Sequence, residues 1–260
     1  MNRLANERHG LLYQLYEGRI QRSLSPDALP HHVAMIIDGN RRWAKQLGLA
    51  SAGHGHRAGA DRMRAFLTWC DDLGIQMVTL YLLSADNLVN RDSAELDELT
   101  NIIADLAHDV SSFRDWQVHH IGSDVGLPAT LRTALTEATE RTAGRQGMRI
   151  NLAVGYGGRK EITDAMRSIV AAHHAEGRSL EDLAETISPE LIAEHLYTGG
   201  LPDPDLVIRT SGEQRLSDFM LWQSAHSEFY FVEALGPDLR KVDFLRALRD
   251  YAGRHRRFGK

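Results

Sequence analysis

The stretch HVAMIIDGN, residues 32–40, decides the fold of this chain. Its apolar part predicts a short buried strand, and the Asp-Gly-Asn that follows predicts a turn at the carboxyl end of that strand. The stretch MVTLYLLS, residues 77–84, is rich enough in β-forming residues to predict a second buried strand. Between the two, apolar residues at helical spacing predict a helix over 57–73 that is closed by Gly74. The three elements together make a βαβ unit.

The same alternation of strand and helix continues to the end of the chain. Further strands are predicted at residues 116–121, 148–154, 205–209 and 228–232. Further helices are predicted at about 93–110, after Pro128, at 160–174, after Pro189 and at 242–255. Strands that are apolar almost throughout belong to sheets covered on both faces. The predicted fold class is therefore α/β, with a central, mostly parallel six-stranded sheet flanked by helices.

Length and composition set limits on organisation and partners. The chain has 260 residues, 43% of them hydrophobic and 25% charged, so we expect an N-terminal helical extension over 1–29 and a single domain over 30–260. Cys70 is the single cysteine, which excludes an internal disulfide and a CxxC zinc site and indicates a reducing, cytoplasmic compartment. The net charge of −5, from 30 basic and 35 acidic residues, gives no overall attraction to nucleic acid, and no nucleic-acid partner is expected.

The N-terminal segment lacks the features of an export signal or a membrane span. No run in the chain approaches the roughly 20 apolar residues that cross a bilayer, so we expect neither export nor membrane integration. Leu11, Leu12, Leu15 and Tyr16 fall on one face of a predicted helix. That face could make a weak peripheral contact with the inner membrane face, or it could pack on the protein's own body or on a sister subunit.

The carboxyl ends of the predicted strands are where a ligand site is expected, because ligands of parallel α/β sheets bind beyond these ends. Four such ends are polar or rich in glycine, at 38–40, 84–87, 155–158 and 209–212. The third, GYGGRKE, lacks the full GxGxxG dinucleotide fingerprint. The chain also has neither a GxxxxGK[ST] phosphate loop nor a GxSxG serine elbow. These absences argue against a dehydrogenase, a nucleoside triphosphatase and a serine hydrolase.

The segment IIDGNRRW, residues 36–43, predicts an anion site next to a metal ligand. Asp38 ends the strand, and Arg41 and Arg42 follow where a short helix is expected to open. Backbone N–H groups at a helix start together with arginines bind anions, and a neighbouring carboxylate can hold a divalent cation that bridges to phosphate oxygens. A diphosphate with Mg²⁺ is the simplest ligand for this set. The alternative interpretation is a tight Asp-Gly-Asn turn with solvated arginines.

Two further segments contain candidate phosphate ligands. SAGHGHRAG, residues 51–59, is predicted to be a loop before a helix, from which His56 could donate to a phosphate; otherwise it is an ordinary loop histidine. IRTSGEQRLS, residues 208–217, brings together Arg209 and Arg215 with Ser217 as a second anion site, although Arg209 could instead form a buried ion pair. Glu228 could approach Asp38 to complete a metal site, or it could be a surface glutamate.

Taken together, these segments resemble a known family. MIIDGNRRWAK, HGHRAG, YLLSADN, NLAVGYGGRKEI, DLVIRTSGEQRLSDFMLWQSAHSE and the terminal RRFG occur in the order seen in cis-prenyltransferases, the undecaprenyl diphosphate synthase family. The resemblance runs from about Pro30 to the C-terminus and is strongest to the short-chain actinobacterial (2Z,6E)-farnesyl diphosphate synthases. Trans-prenyltransferases carry two DDxxD boxes, and this chain has none.

The resemblance implies a Mg²⁺-dependent homodimer that joins an allylic diphosphate to isopentenyl diphosphate. It implies catalytic roles for Asp38 and Asn87, and a metal site formed by Asp38 with Glu228 from either subunit. It also implies a substrate site made of Gly39, Asn40, Arg41, Arg42, Trp43, His56, Ser84, Ala85, Asp86, Arg91, Arg209, Arg215, Leu216 and Ser217. Residues Arg257, Phe258 and Gly259 resemble the family's terminal motif, which reaches the substrate site across the dimer.

The sequence departs from the family pattern at two places, and one residue bears on product length. Leu88 replaces a tryptophan and Arg91 stands one position late, which puts the phosphate role of Arg91 in question; the usual arginine before the HGHRAG segment is also missing. Leu82 stands where long-chain members carry a small residue, so it is expected to stop chain growth early. The alternative for Leu82 is plain core packing.

The function expected from this resemblance is condensation of geranyl diphosphate with isopentenyl diphosphate to a short Z-prenyl diphosphate such as (2Z,6E)-farnesyl diphosphate. The alternatives are a long-chain polyprenyl diphosphate synthase, an altered condensation suggested by Leu88 and Arg91, or a non-catalytic partner subunit. Asp38, Arg42 and Arg209 are all present, which argues against a non-catalytic subunit.

Overall fold

The computed structural model describes residues 15–254, and its centre is a six-stranded sheet. The strands are β1 His32–Ile36, β2 Met77–Ser84, β3 Gln117–Ile121, β4 Arg149–Tyr156, β5 Leu206–Arg209 and β6 Glu228–Phe231. Their order across the sheet is β3-β4-β2-β1-β5-β6, and every neighbouring pair is parallel. The predicted α/β class is confirmed, and the sheet is parallel throughout.

Helices lie on both faces of this sheet. The described part of α1 covers 15–23, and the others are α2 Asn40–Gln46, α3 Ala52–Asp72, α4 Ala85–Asn90, α5 Ser93–Ser112, α6 Ala129–Arg141, α7 Gly158–Ala175, α8 Leu180–Thr186, α9 Pro189–His195 and α10 Lys241–Gly253. Short 3₁₀ turns occur at Pro26–Ala28, Gln223–His226 and Gly236–Asp238. The sequence did not predict α4 and α8, which are six and seven residues long.

The start of α3 corrects one expectation about the glycine-rich segment. Residues 52–59 are the first turns of α3 and not a loop, because the Ser51 side chain caps the helix by accepting from the Gly53 N–H at 3.1 Å. A Cβ on Gly55 would lie 2.1 Å from the carbonyl oxygen of Asn40, and one on Gly59 would lie 2.6 Å from its Oδ1. These glycines therefore let α2 and α3 pack in close contact.

The main hydrophobic core lies on one face of the sheet, under α3, α5, α6 and α10. Phe66 of α3 meets Phe244 of α10 edge to face, with ring centroids 4.9 Å apart. A smaller cluster on the other face contains Tyr156, Phe219 and Met220. The main hydrophobic core continues into the wall of the cavity described below, so that cavity has an apolar lining.

The N-terminal helix packs on the closing helix. Ile20 of α1 is buried against Val242 and Leu245 of α10, and the Tyr16 ring lies 5.4 Å from the guanidinium carbon of Arg246. Tyr16 therefore rests on the protein's own body, whereas Leu15 is 63% exposed. Leu11 and Leu12 lie outside the described residues. Within 15–254, no helix is long and apolar enough to cross a bilayer.

Candidate active site

A cavity of about 1360 Å³ opens at the carboxyl edge of the sheet. Charged and polar side chains from the ends of β1, β2 and β5 surround its mouth. Its interior is apolar and includes Met63, Leu82, Leu99, Ile102, Ile103 and Leu106, contributed by α3, β2 and α5. A cavity that is charged at the mouth and apolar inside suits a ligand with a charged head and a hydrocarbon tail.

Asp38 stands at the centre of the cavity mouth, directly after β1. Its carboxylate accepts from the Arg209 guanidinium at 2.7 Å and from the Gly39 N–H at 2.6 Å, and its backbone N–H donates to the Thr210 hydroxyl at 2.8 Å. Burial alone would raise the pKa of Asp38, but the hydrogen bonds from Arg209 and Gly39 outweigh it and hold that pKa below the usual value. Asp38 is therefore an ionised carboxylate, the form that binds a divalent cation.

Glycine at position 39 is required by the backbone. Its φ is +96°, and a Cβ there would lie 2.7 Å from the Leu235 side chain and 3.2 Å from Ser211 Cβ. The left-handed turn leads the chain from β1 into α2, and the Gly39 N–H at the start of that helix donates to the Asp38 carboxylate.

The second predicted anion site forms around Arg209, whose side chain is only 4% exposed. Arg209 donates from Nη1 to the Ser217 hydroxyl at 2.7 Å and also to the Arg215 carbonyl. Arg215 is exposed and pairs with Glu213, and a second guanidinium, that of Arg42, lies 3.5 Å from the same glutamate. Arg209 thus forms the ion pair with Asp38 that was its alternative interpretation. It also belongs to the group of Arg209, Arg215 and Ser217, called the second cation cluster below.

Two guanidiniums and an imidazole converge on one carboxylate oxygen. Oε1 of Glu95 accepts from Arg91 at 2.6 Å and lies 3.3 Å from His56 Nε2 and 3.5 Å from Arg41 Nε. Burial lowers the pKa of His56, although Glu95 acts in the opposite direction. The late position of Arg91 in the sequence does not remove it from the cavity, because it follows α4 directly and turns back toward His56.

The structure brings most of the sequence-predicted residues to the cavity wall, and it leaves three of the predicted substrate residues off it. The residues on the wall are Asp38, Gly39, Asn40, Arg41, Arg42, His56, Leu82, Ser84, Asp86, Asn87, Arg91, Arg209, Arg215 and Ser217. Trp43 lies off the wall and donates its indole N–H to Asp238 at 2.9 Å. Leu216 packs against the cluster on the opposite face of the sheet, and Ala85 begins α4 without reaching the wall.

Glu228 does not approach Asp38 within one chain, so of the two expected arrangements, with Glu228 from the same or from the other subunit, the same-chain one is not formed. It opens β6 opposite Leu206, the first residue of β5, whereas Asp38 lies two residues beyond Ile36, the last residue of β1. Because these strands are parallel, the two carboxylates stand at opposite edges of the sheet. Glu228 pairs with Arg254, and no group of three His, Cys, Asp or Glu that could hold a metal is found within 15–254.

Some polar residues at or beside the cavity were not predicted from the sequence, among them Glu95, Tyr81 and Asp218. Glu95 pairs with Arg91 four residues earlier, but Arg91 is extended between α4 and α5, so the spacing rule for charged neighbours on one helix does not apply to the pair. Tyr81 donates its hydroxyl to the Ser217 carbonyl at 3.3 Å, and Asp218 lines the cavity. Their positions depend on contacts between segments that are far apart in the sequence, and no local pattern carries that information.

The fold and the cavity define a class of enzyme that handles diphosphates with apolar tails, and comparison with known proteins gives the family. The model of the family described as "Putative undecaprenyl diphosphate synthase" matches residues 36–259. The chain belongs to this family and is a prenyltransferase, as its sequence resemblance predicted.

Similar proteins extend over nearly the whole chain. Isoprenyl transferase 1 of Streptomyces avermitilis is 53% identical and covers 96% of this chain, with 96% of its own length matched. The (2Z,6E)-farnesyl diphosphate synthase of Thermobifida fusca is 53% identical over 95% of this chain and 97% of its own. The short-chain Z-isoprenyl diphosphate synthase of Mycobacterium bovis is 48% identical over 96% of each chain.

A solved structure shares the fold. Lavandulyl diphosphate synthase from Lavandula x intermedia, in complex with dimethylallyl diphosphate, superimposes with a TM-score of 0.83 at 37% identity. The match covers 90% of this chain and all of that one.

Proposed function

We propose that this protein condenses isopentenyl diphosphate with an allylic diphosphate, preferentially geranyl diphosphate, to give a short Z-prenyl diphosphate such as (2Z,6E)-farnesyl diphosphate. The observation that carries the proposal is one cavity with two clusters of cationic side chains at its mouth, Asp38 between them, and an apolar interior. The names of the Thermobifida and Mycobacterium relatives support the short product. The dimethylallyl diphosphate in the lavandulyl diphosphate synthase structure supports an allylic substrate.

The two diphosphates are assigned to the two clusters. The allylic diphosphate binds at the start of α2, where backbone N–H groups of the Gly39–Arg42 segment, Arg41, Arg91 and His56 face the cavity. Isopentenyl diphosphate binds to Arg209, Arg215 and Ser217, whose guanidinium forks and hydroxyl match phosphate oxygens.

Asp38 fits a site for Mg²⁺. Its carboxylate is ionised and opens to the cavity, and Mg²⁺ in proteins takes one or two carboxylates together with substrate phosphate oxygens. When bound there, Mg²⁺ would supply charge stabilisation for the departing diphosphate. The second carboxylate is assigned to Glu228 of the partner subunit, since Glu228 of the same chain lies at the far edge of the sheet.

The residues of this chain support a simple sequence of bond changes. The allylic C–O bond breaks, and Arg41, Arg91 and backbone N–H groups stabilise the charge that develops on diphosphate. The double bond of isopentenyl diphosphate attacks the allylic carbon, and the apolar wall keeps water from the cationic carbon. The backbone N–H of Asn87 donates to the Ser84 hydroxyl at 3.0 Å and so fixes the position of this residue, whose side chain orients the reacting carbons. The C2 proton leaves to a diphosphate oxygen, because an amide is not a base.

The proposal extends to the assembly and its location. A homodimer would bring Glu228 and the terminal Arg257, Phe258 and Gly259 of one subunit to the site of the other. These three terminal residues lie outside the described residues. The single catalytic domain over 30–260, a cytoplasmic location and weak peripheral contact with the inner membrane face belong to the same proposal. The exposed Leu15 side chain supports such a contact.

The proposal is tested by product analysis. Labelled isopentenyl diphosphate and Mg²⁺ are incubated with dimethylallyl, geranyl or farnesyl diphosphate, and the products are sized by mass spectrometry. We expect a C15 product from geranyl diphosphate. A C50 or C55 product would overturn the short-chain assignment and leave the enzyme class intact. No incorporation with any primer would overturn the proposal, and NMR of the product separates Z-elongation from head-to-middle joining.

A further inference from the structure

The turn that carries the second cation cluster has an unusual backbone. Ser217, Asp218 and Met220 have φ values of +50°, +65° and +47°, in the left-handed region that non-glycine residues rarely adopt. Backbone of this kind persists only where surrounding contacts hold it. The contacts that hold this turn therefore decide where the Ser217 hydroxyl and Arg215 lie.

One set of contacts comes from the N-terminus of α7. The Asp218 carbonyl accepts from the Gly158 N–H at 2.6 Å, and its carboxylate accepts from the Arg159 N–H at 3.1 Å. These N–H groups open an 18-residue helix and have no acceptor within it. The carboxylate also stands at the positive end of the helix dipole. Asp218 is thus a helix cap supplied by a segment some 60 residues away.

The local sequence makes room for this cap. A Cβ on Gly157 would lie 2.7 Å from the Asp218 carboxylate, and one on Gly158 would lie 3.0 Å from its carbonyl oxygen. On the other side of the turn, Arg209 donates to Ser217 and the Tyr81 hydroxyl donates to the Ser217 carbonyl at 3.3 Å. The turn is therefore fixed between two anchors, the cation cluster and α7.

We propose that Asp218 is a positioning residue for isopentenyl diphosphate, which ties the turn 215–218 to α7 so that Ser217 and Arg215 are held ready for the diphosphate. Asp218 carries a negative charge and has no donor, so it acts through its neighbours and does not itself bind the diphosphate. This role rests on the proposed assignment of isopentenyl diphosphate to Arg209, Arg215 and Ser217. Removing the carboxylate leaves the cation cluster intact and loosens its position.

The test compares two variants that both tolerate a positive φ. Asp218→Gly removes the carboxylate, and Asp218→Asn keeps an acceptor oxygen that can cap α7. We expect Asp218→Gly to raise the KM for isopentenyl diphosphate about tenfold, with kcat and the KM for geranyl diphosphate within about twofold of the parent, because only the positioning of one substrate is lost. Asp218→Asn should restore the parent's KM to within about threefold.

A second variant and a matched control keep the outcome decisive. Arg159→Pro removes the backbone N–H that donates to the Asp218 carboxylate, at a position in the first turn of α7 that tolerates proline. It should also raise the KM for isopentenyl diphosphate, and it serves as the test if Asp218→Gly fails to fold. Asp182→Ala removes a carboxylate that accepts from the Ser179 N–H at 3.0 Å at the start of α8, away from the cavity, and should lower the melting temperature without changing either KM.

The outcomes separate this role from the proposed function. An active parent whose Asp218→Gly and Arg159→Pro variants keep the parent's KM for isopentenyl diphosphate would overturn the Asp218 role alone. A rise in that KM that Asp218→Asn does not reverse would also overturn it. A parent protein that incorporates no isopentenyl diphosphate would overturn the proposed function, and the Asp218 role with it.

Discussion

At the scale of single residues, the carboxylates of Asp38 and Glu95 are already paired with basic side chains of the site. Asp38 is bound to Arg209, and Arg209 also holds Ser217. One carboxylate oxygen of Glu95 contacts the side chains of Arg91, His56 and Arg41. Because these side chains are already in contact, they are ordered before substrate binds. The conformational entropy lost by ordering them is therefore a cost of folding and not of binding.

Leu82 is the residue at which product length is tested. It lies half-buried on the cavity wall, where the register of β2 with β4 shifts between Tyr81 and Leu83. We expect Leu82→Ala to lengthen the product by one or more isoprene units, because the side chain occupies volume that the growing chain needs. Mass spectrometry of products made from geranyl diphosphate measures this.

Leu96→Ala is the matched control for Leu82→Ala. Leu96 is also a half-buried leucine beside the main core, and it does not line the cavity. This variant should keep the parent's product length. An unchanged product from Leu82→Ala in a folded, active enzyme would mean that Leu82 has a packing role only.

At the scale of elements, the allylic site depends on how closely α2 lies on α3. Gly55 and Gly59 face Asn40, the first residue of α2, and both lack room for a Cβ. These glycines lie along one face of α3, although their frequency in the sequence predicted a loop. The glycine pattern was therefore informative about close helix packing, and its interpretation as a loop was wrong.

Gly55→Ala tests this helix contact. The new Cβ would meet the Asn40 carbonyl, so α2 must shift, and we expect a loss of about 1–3 kcal/mol in unfolding free energy together with a raised KM for the allylic diphosphate. Denaturant unfolding and steady-state kinetics measure the two effects.

A glycine in open space controls for the change in helix propensity. A Cβ on Gly18 of α1 would have no neighbour within 4 Å, so Gly18→Ala should stabilise the protein by about 0.5–1 kcal/mol. If Gly55→Ala behaved like Gly18→Ala, the close approach of α2 and α3 would not matter for the site.

Sequence patterns predicted every strand and every long helix, and they missed two short helices. All six strands were predicted. The inner strands β1, β2, β4 and β5 carry nearly continuous apolar runs because they are largely buried on both faces, whereas the edge strands β3 and β6 are only partly buried and include polar residues. The helices α4 and α8 each span fewer than two turns, so they contain too few residues for a helical period to be recognised. The six-residue α4 is set by the Ser84 cap, which accepts from the Asn87 N–H.

At the scale of the whole molecule, the parallel sheet explains both what was predicted of the site and what was not. The rule for carboxyl strand ends places Asp38, Ser84 and Arg209 at one edge from the sequence alone. The same geometry puts Glu228, the first residue of β6, at the opposite edge, because β6 pairs parallel to β5; the sequence predicted a mostly parallel sheet and did not give the direction of this edge strand. A residue can thus match a family motif and still stand away from the site within its own chain.

Subunit mixing tests whether Glu228 acts across a dimer. Asp38→Asn and Glu228→Gln subunits should each be impaired alone. If each site combines Asp38 of one chain with Glu228 of its partner, a mixed dimer has one intact site, and re-assorted mixtures should recover up to about a quarter of the parent's activity. Denaturing and refolding the two variants together, then assaying turnover, measures the recovery.

No recovery of activity on mixing would contradict a site shared between the two subunits. With both residues acting in the same chain, every site in the mixed dimer carries one defect, and the mixture should be no more active than the variants assayed separately. Refolded parent protein controls for losses during mixing.

The role of Asp38 at the metal is tested by the turnover of Asp38→Asn with geranyl and isopentenyl diphosphates in the presence of Mg²⁺. In the parent, Arg209 and Gly39 donate to different oxygens of the Asp38 carboxylate. An asparagine keeps one acceptor oxygen, for one of these two donors, and removes the charge that a divalent cation needs. We predict a fall in kcat of about 10²- to 10³-fold with the fold preserved, as judged by circular dichroism and thermal melting. A folded Asp38→Asn variant that turned over as fast as the parent would rule out this role, and the proposed chemistry with it.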